Sequence, residues 1–439
     1  MNGFSVHTTF RSLLGVMALC VMGCHGLLDV SNPTLIQDQD IANATGANSR
    51  RLDAVYNFTR FFGYAASEVS FFTDETMYDF YYPPGTPNAD YTLNLDRRDT
   101  AYLASQAVAN GDDPHLTSLD RAFANSSVAL NAMLAYGIEP LRGEYLTQLY
   151  ALRSALILQM AEDICSGFPI NDISTDNVSV YSGPYTTDSA TKYALAEADS
   201  ALAHGHDSTQ FLNLAQVLKG RALLDLGQYA QAAAAVTTVP TSFTYTTDPG
   251  QSNPFLNFQY GPLGGVGEHE GQNGLPFVSA NDPRVPSQFF QTRQTVPTDS
   301  LYFQHKYLNS TDPIVIASGV EARLIEAEAV VNAGDPNWLT ILNTLRTTVG
   351  LGPLPDPGTT SAQIDLVYSE RAFWLYLTGR RLGDMRRLVR NYGRDPETVF
   401  PTGNYPIGGY RYATGTAIPF TVAVEGRYNP HITTGCASQ

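Results

Sequence analysis

Carboxylates are the first residues to weigh. Glu68, Asp74, Glu75 and Asp79 lie close together in the chain. A pair of carboxylates across a cleft is the apparatus of glycoside hydrolysis. With 42 Asp and Glu in 439 residues, however, such clusters arise readily, and no motif surrounds this one. The expectation is therefore a protein that is not an enzyme. The 8 His include no H-E-x-x-H and no Cys-paired metal spacing, so no metal and no cofactor are expected. His204 and His206 are read as exposed at a helix end. "NGDDPH" (110–115) offers oxygens to Ca²⁺ but lacks the spacing of a defined loop. "GPLGGVGEHEG" (261–271) is rich in glycine, yet it follows no clear strand and carries no Lys-Ser/Thr to cradle phosphate.

Rings are a better-supported feature. The chain has 25 Tyr and 21 Phe against 2 Trp. "SFFTDETMYDFYYPPGTPNADYTL" (70–93) crowds aromatic residues among Pro, Asp and Asn, and the theme returns in "NPFLNFQYGP" (253–262) and "SLYFQHKYLN" (300–309). The C–H faces of sugar rings stack on such side chains, while Asp and Asn exchange hydrogen bonds with hydroxyls. The candidate ligand contacts are Tyr78, Tyr81 and Tyr82, with Phe72, Asp79 and Tyr302. Tyrosine is favoured because it is stable half-wet, with an apolar body and a polar tip. The net charge of −16 repels phosphate backbones, so no nucleic acid is expected.

The N-terminus says where these residues work. Residues 1–23 carry Arg11, no acid, and an apolar run from Leu13 to Met22 that is too short to span a bilayer. Gly23 then puts a small residue before Cys24. "VMGC" (21–24) resembles the lipobox of bacterial lipoproteins, so Cys24 is expected to be acylated and to head the mature chain. Loss of Arg11 takes the net charge from −16 to −17. Residues 24–45 read as a lipidated tether and 46–439 as a single helical domain. Of the 4 Cys, Cys20 is lost with the leader and Cys24 is acylated, which leaves Cys165 and Cys436. In an oxidising compartment they could form a disulfide or stay as free thiols.

The elements that must position the rings are helices. In 145–163, Leu146, Leu149, Leu152, Leu156 and Met160 recur at helical spacing. In 213–240, a stripe of Leu214, Leu218, Ala222 and Leu226 stops at Gly227, and Tyr229, Ala232 and Val236 begin a second helix. Residues 193–205 supply a small-residue-rich helix before them. Residues 319–351 repeat the pattern, with Gly334 as the stop and Asp335 and Pro336 as N-cap and first helical residue. Residues 359–390 open on Thr360 and Gln363 in capping-box spacing. These recurrent helix–Gly–helix units resemble tetratricopeptide hairpins. The fold class expected is mainly α, a TPR-like scaffold with long irregular segments (79–100, 165–190, 241–312 and 391–439) forming a ligand face.

Several segments together resemble the SusD/RagB family of nutrient-uptake outer-membrane lipoproteins. These are the lipobox with "LLDVSNP", "RSALILQMAEDICSGFPI" (153–170), "NDPR" (281–284), "EARLIEAEAVVNAGD" (321–335), "ERAFWLYLTGRRLGDMRRL" (370–388) and "AIPFTVAVEGRYNP" (417–430). The 370–388 segment is similar to the family's E-R-x-x-E-L-x-x-E-G-x-R-x-x-D-L-R-R helix, with Trp374 and Thr378 where Glu is frequent. The resemblance implies a TPR-like core and a loop-built ligand face. It also implies an outer-membrane location and a SusC-like TonB-dependent β-barrel partner that imports the captured oligosaccharide or other nutrient oligomer. It implies structural roles for Asp282, Arg284, Glu370, Arg371, Arg381, Asp384 and Arg387, which would tie one long helix to its neighbours. Arg380 and Asp384, four apart on that helix, are placed to face each other. Two other readings stay open: a secreted helical-repeat enzyme acting on polysaccharide, and a scaffold lipoprotein that binds proteins.

Overall fold

The structure is a computed structural model. It describes residues 41–76, 96–98, 114–164, 166–176, 178–205, 208–248, 253–255, 265–266, 273–292, 300–404 and 411. The chain opens with two long helices, α1 (Ala44–Phe72) and α2 (Pro114–Tyr136). They pack antiparallel, Glu68 near the end of α1 meeting His115 at the start of α2. The body then continues as packed neighbours: α3 (Leu141–Asp163), α4 (Thr187–His204), α5 (Thr209–Asp225), α6 (Tyr229–Val236), α7 (Gly319–Asn332) and α8 (Asn337–Thr347). It closes with α9 (Thr360–Trp374), α10 (Arg381–Tyr392) and the short α11 (Pro396–Val399). The expected hairpins of 213–240 and 319–351 are present as α5–α6 and α7–α8.

Small residues let these helices approach. Ala190, Ala194, Ala198 and Ala201 bury one face of α4, and Ala151, Ala155 and Ala161 contribute to the buried surface of α3. Leu152, Leu156 and Met160 supply the apolar area, each worth about 1.5–3 kcal/mol when fully buried. Gly227 and Gly334 both end their helices at φ +70, where a side chain would be strained.

Strands fill segments that sequence reading left irregular. β1 (Phe168–Ile173) and β2 (Ser179–Tyr185) form an antiparallel hairpin inside 165–190. β3 (Thr244–Thr246) pairs antiparallel with β7 (Val315–Ser318). β4 (Gly265–Val266), β5 (Ser287–Thr292) and β6 (Ser300–Gln304) make an antiparallel sheet in the order β4-β6-β5.

Further expectations need correcting. The 370–388 motif is two helices, because the chain turns between Leu375 and Arg380, with Leu377 at φ +53 and Gly379 at φ +74. The cap of α8 sits one residue later than expected: Pro336 is the N-cap, and Asp335 Oδ1 accepts from Asn337 N at 2.9 Å. The cap of α9 is Thr359, not Thr360, accepting from Ala362 N. Helix α1 begins at Ala44, inside the segment read as tether, with Asn43 Oδ1 accepting from Gly46 N at 3.0 Å.

Candidate functional site

The charged residues of the 370–388 motif point inward. Arg371 grips Asp384 with two parallel bonds, Nε to Oδ2 at 2.9 Å and Nη2 to Oδ1 at 2.8 Å, joining α9 to α10. Arg387 donates Nη2 to the same Asp384 at 2.8 Å. It also bonds Glu328 on α7 at 2.8 Å and 3.0 Å, and Asp225 at the end of α5 at 2.9 Å. Tyr368 completes the cluster by donating to Glu328 at 2.8 Å. All five of these ionic groups are buried. Burial alone would raise the Asp384 pKa; Arg371 and Arg387 outweigh it and hold the carboxyl down to about 2. One guanidinium thus ties three helices together, a use that suits its planar fork of donors.

The "NDPR" turn works the same way. Arg284 folds back on Asp282, Nε to Oδ1 at 2.8 Å and Nη2 to Oδ2 at 2.6 Å, and reaches Glu370 with Nη1 at 2.6 Å. Arg346 of α8 bonds that Glu370 at 2.6 Å. Arg381 lies buried, with Glu75 and Asp384 as its neighbouring charges. Arg380 does not face Asp384 as expected. It sits before α10 begins and turns to Glu162 of α3 at 2.8 Å. Arg386 caps the end of α3, donating to the carbonyls of Ala161 at 2.9 Å and Glu162 at 2.6 Å, where the helix leaves orphan acceptors. Asp282, Arg284, Glu370, Arg371, Arg381, Asp384 and Arg387 are all buried.

The interior network also fixes the roots of the ring-rich segments. Glu75 is fully buried at the foot of 77–95, and its Oε1 accepts from Leu377 N at 3.0 Å. Its carbonyl accepts from Tyr376 Oη at 3.0 Å. Arg98, beyond the same segment, donates to the Pro401 carbonyl and lies over the Phe72 and Phe400 rings. Asn273, just after 267–272, donates to the Phe400 carbonyl at 3.2 Å and to Thr402 Oγ1 at 3.1 Å. Lys306, following β6, donates to the Tyr376 carbonyl. These roots converge on the 375–378 turn and on Phe400.

The candidates divide accordingly. Phe72 is a correction: it is 0% exposed and packs edge-on against Phe400, so it is core and presents no ring to a ligand. Its place at the end of α1 buries the face that the loop composition had suggested was available. Tyr302 is partly buried on β6, opposite Phe289 of β5 in the register, with the rings 5.7 Å apart and edge to face. Phe289 is 52% exposed. Sequence reading did not single it out, although directly opposed strand residues share a face. Tyr78, Asp79, Tyr81 and Tyr82 lie outside the described residues, as do Cys24, Cys165 and Cys436.

His204 differs from expectation, His206 lies outside the described residues, and His115 carries no expectation of its own. His204 is half-buried, not solvent-exposed, and stacks on Tyr150 with ring centroids 5.3 Å apart. His115, the last residue of "NGDDPH", is buried between Glu68 (Nδ1 to Oε2, 2.6 Å) and Asp163 (Nε2 to Oδ2, 2.9 Å). Burial alone would lower its pKa, but the two carboxylates outweigh this and push it up to about 10. No local pattern marks it, since its partners stand 47 and 48 residues away. A groove of about 480 Å³ also opens where α4, α5 and α10 meet, lined by Thr187, Asp188, Thr191, Asp225, Arg390 and Asn391. It contains no ring, so nothing there can stack on a sugar.

Among the described residues no group of His, Cys, Asp and Glu is arranged to hold a metal, and no helix is long and apolar enough to cross a membrane. No family model matches the chain, and no curated protein matches it. Solved structures do match. A SusD-like carbohydrate-binding protein from Bacteroides vulgatus aligns at TM-score 0.59 and 14% identity, over 83% of this chain and 86% of its own. A SusD superfamily protein from Parabacteroides distasonis aligns at 0.59 and 14%, over 89% and 98%. Surface glycan-binding protein A from Bacteroides uniformis aligns at 0.50 and 15%, over 74% and 85%. The fold of this chain is the SusD-like fold, mainly helical, as its sequence motifs implied.

Proposed function

From that fold, we propose that the chain is a lipid-anchored surface protein that binds oligosaccharide and hands it to a SusC-like TonB-dependent β-barrel in the outer membrane. The observation that carries the reading is the SusD-like fold spanning most of the chain, together with the names of its neighbours: one is a carbohydrate-binding protein and another a surface glycan-binding protein. It is supported by the described residues that flank the ring-bearing stretches: Glu75 and Lys306 bond the 375–378 turn, and Arg98 bonds the Pro401 carbonyl. Tyr78, Tyr81 and Tyr82, with Asp79, are the proposed ligand contacts, joined by Tyr302 and the half-exposed Phe289. Cys24 is the proposed acylation site.

Binding without turnover is the reading of the carboxylates. Glu75 has its pKa raised to about 7 by burial, a value suited to a general acid. It is 0% exposed, however, and its oxygen is spent on Leu377 N, so no substrate reaches it. Glu68 is engaged with His115.

The test is oligosaccharide binding by the full chain on a glycan array, followed by calorimetry on the hits. A Tyr78/Tyr81/Tyr82 triple alanine variant and a Phe289/Tyr302 double alanine variant are compared with the parent. Stacking contacts contribute on the order of 0.5–1.5 kcal/mol each, so the triple variant is expected to lose at least tenfold in affinity. Release of shorter sugars from the ligand would overturn the binding-only reading. Array binding that both variants retain in full would move the site elsewhere.

A further inference from the structure

The turn joining α2 to α3 reads "LAYGIEPL" (134–141), and its apolar side chains face water. Leu134, Tyr136 and Leu141 are exposed, and Ile138 is 68% exposed. The turn is well built: Gly137 N donates to the Met133 carbonyl at 2.9 Å, and Arg142 Nη2 donates to the Leu134 carbonyl at 3.0 Å. A second turn lies beside it. Asn131 of α2 donates its side-chain amide to the carbonyls of Ile173 and Ser174, both at 3.0 Å, which brings the tip of the β1–β2 hairpin against the same end of the helix. Beyond that tip, Val178 and Val180 are exposed, Val178 at 61%. Single exposed apolar residues are ordinary. A cluster gathered on adjacent turns, where polar residues would serve the backbone as well, marks a docking surface.

The position of this surface identifies what it meets. Ala47, near the start of α1, shares a core cluster with Leu130, Ala132 and Met133 at the end of α2. The chain leading from Cys24 therefore joins the body at the apolar end. The roots of the ring-bearing segments lie at the other end of α1, beside Phe72. The 29 residues of α1 separate the two ends by about 43 Å at 1.5 Å per residue. From Cys24 to Ala44 the chain can span at most about 70 Å, so an acyl anchor keeps the apolar turns within reach of lipid. Tethering of this kind makes a weak surface contact effectively intramolecular. The side chains are the aliphatic and tyrosine mixture that settles at a membrane interface, and the one carboxylate of the turn, Glu139, is exposed at its edge with Arg142 at 3.7 Å. The protein's net charge of −16 gives no electrostatic attraction to anionic lipid, so the contact is apolar.

We infer that Leu134, Tyr136, Ile138 and Leu141, with Val178 and Val180, form a membrane-contact surface that rests on the bilayer beside the acylated N-terminus and holds the opposite end of α1 outward. The inference rests on the proposed acylation of Cys24, and its test separates the two. The full chain, purified from membranes, is reconstituted in phosphatidylcholine vesicles carrying a diazirine phospholipid, floated on a density gradient and irradiated. Adducts are then mapped by peptide mass. Adducts are expected on 134–141 and 178–180, insensitive to salt, and reduced about tenfold or more in an Ile138→Ser/Leu141→Ser variant. These positions are exposed, so the variant should melt with the parent.

Flotation with adducts confined to the N-terminal peptide would overturn the surface while leaving the anchor in place. Failure to float would overturn the anchor, and the surface with it. A dimer that the double variant dissolves, with no adducts on these turns, would reassign the patch to contact between copies and overturn the lipid assignment.

Discussion

Arg387 on α10 and Lys192 on α4 each carry a cation one helical turn from a carboxylate. Arg387 pairs with Asp384 at i,i+3 and 2.8 Å, and Lys192 with Asp188 at i,i+4 and 2.7 Å. In sequence the two pairs look alike. In the structure Arg387 is 1% exposed and reaches Glu328 and Asp225 as well, whereas Lys192 and Asp188 are both more than half exposed. The first pair joins three helices; the second decorates one. Spacing along a helix therefore says that two charges can meet, and burial decides what the meeting does.

The strongest way to break this comparison is Arg387→Ala, which strands Glu328, Asp225 and Asp384 in the interior. A loss of about 3–5 kcal/mol is expected, read as a lowered urea midpoint. A smaller effect is expected from His115→Gln, whose amide can still donate one of the two bonds, so that about 1.5–3 kcal/mol is lost with the other. Its pH dependence is the sharper readout. In the folded protein the two carboxylates, outweighing burial, push the His115 pKa from the ordinary imidazole value up to about 10. The stabilisation is therefore complete below the unfolded value and is lost as pH rises through the folded one. The penalty of the variant should be greatest near pH 6 and should shrink towards pH 10 in urea melts at each pH.

Two glycines extend the contrast to the backbone. Gly334 and Gly379 sit at φ +70 and +74, but a Cβ at Gly334 meets nothing within 4 Å, while one at Gly379 would lie 3.1 Å from the Ala66 backbone. Both alanine variants carry the strain of the left-handed region, about 1 kcal/mol, and Gly379→Ala should lose about 1 kcal/mol beyond that by thermal melting. Lys192→Ala should cost under about 0.5 kcal/mol. If it cost as much as Arg387→Ala, burial would not be the deciding variable.

Much of the body was legible because its signals are local. Leucine spacing, helix-stopping glycines and the Thr-rich opening of α9 all act within a few residues, and the helix pairs followed from them with boundaries shifted by a residue. Long helices α1 and α2 were missed. Ala54, Phe58, Phe62, Ala65, Val69 and Phe72 recur at helical spacing along the buried face of α1, a signal the sequence reading passed over in weighing the ring-rich residues that follow. The break at 375–380 was missed because the motif reads as continuous helix. What bends it is the tertiary demand that Leu377 N meet Glu75 and that Gly379 pass close to Ala66.

By itself the sequence determined the helical class, the likeness to the SusD/RagB family and the motif charges of the network, though not their partners Glu328, Asp225, Arg346 and Glu162, because periodicity and motif are carried by the chain alone. Tertiary structure alone decided that those charges turn inward, that Phe72 is core, that Phe289 stands beside Tyr302, and that His115 sits between two acids. The physical reason is that burial and partnership join residues tens to hundreds of positions apart, and no window along the chain contains both members of such a pair.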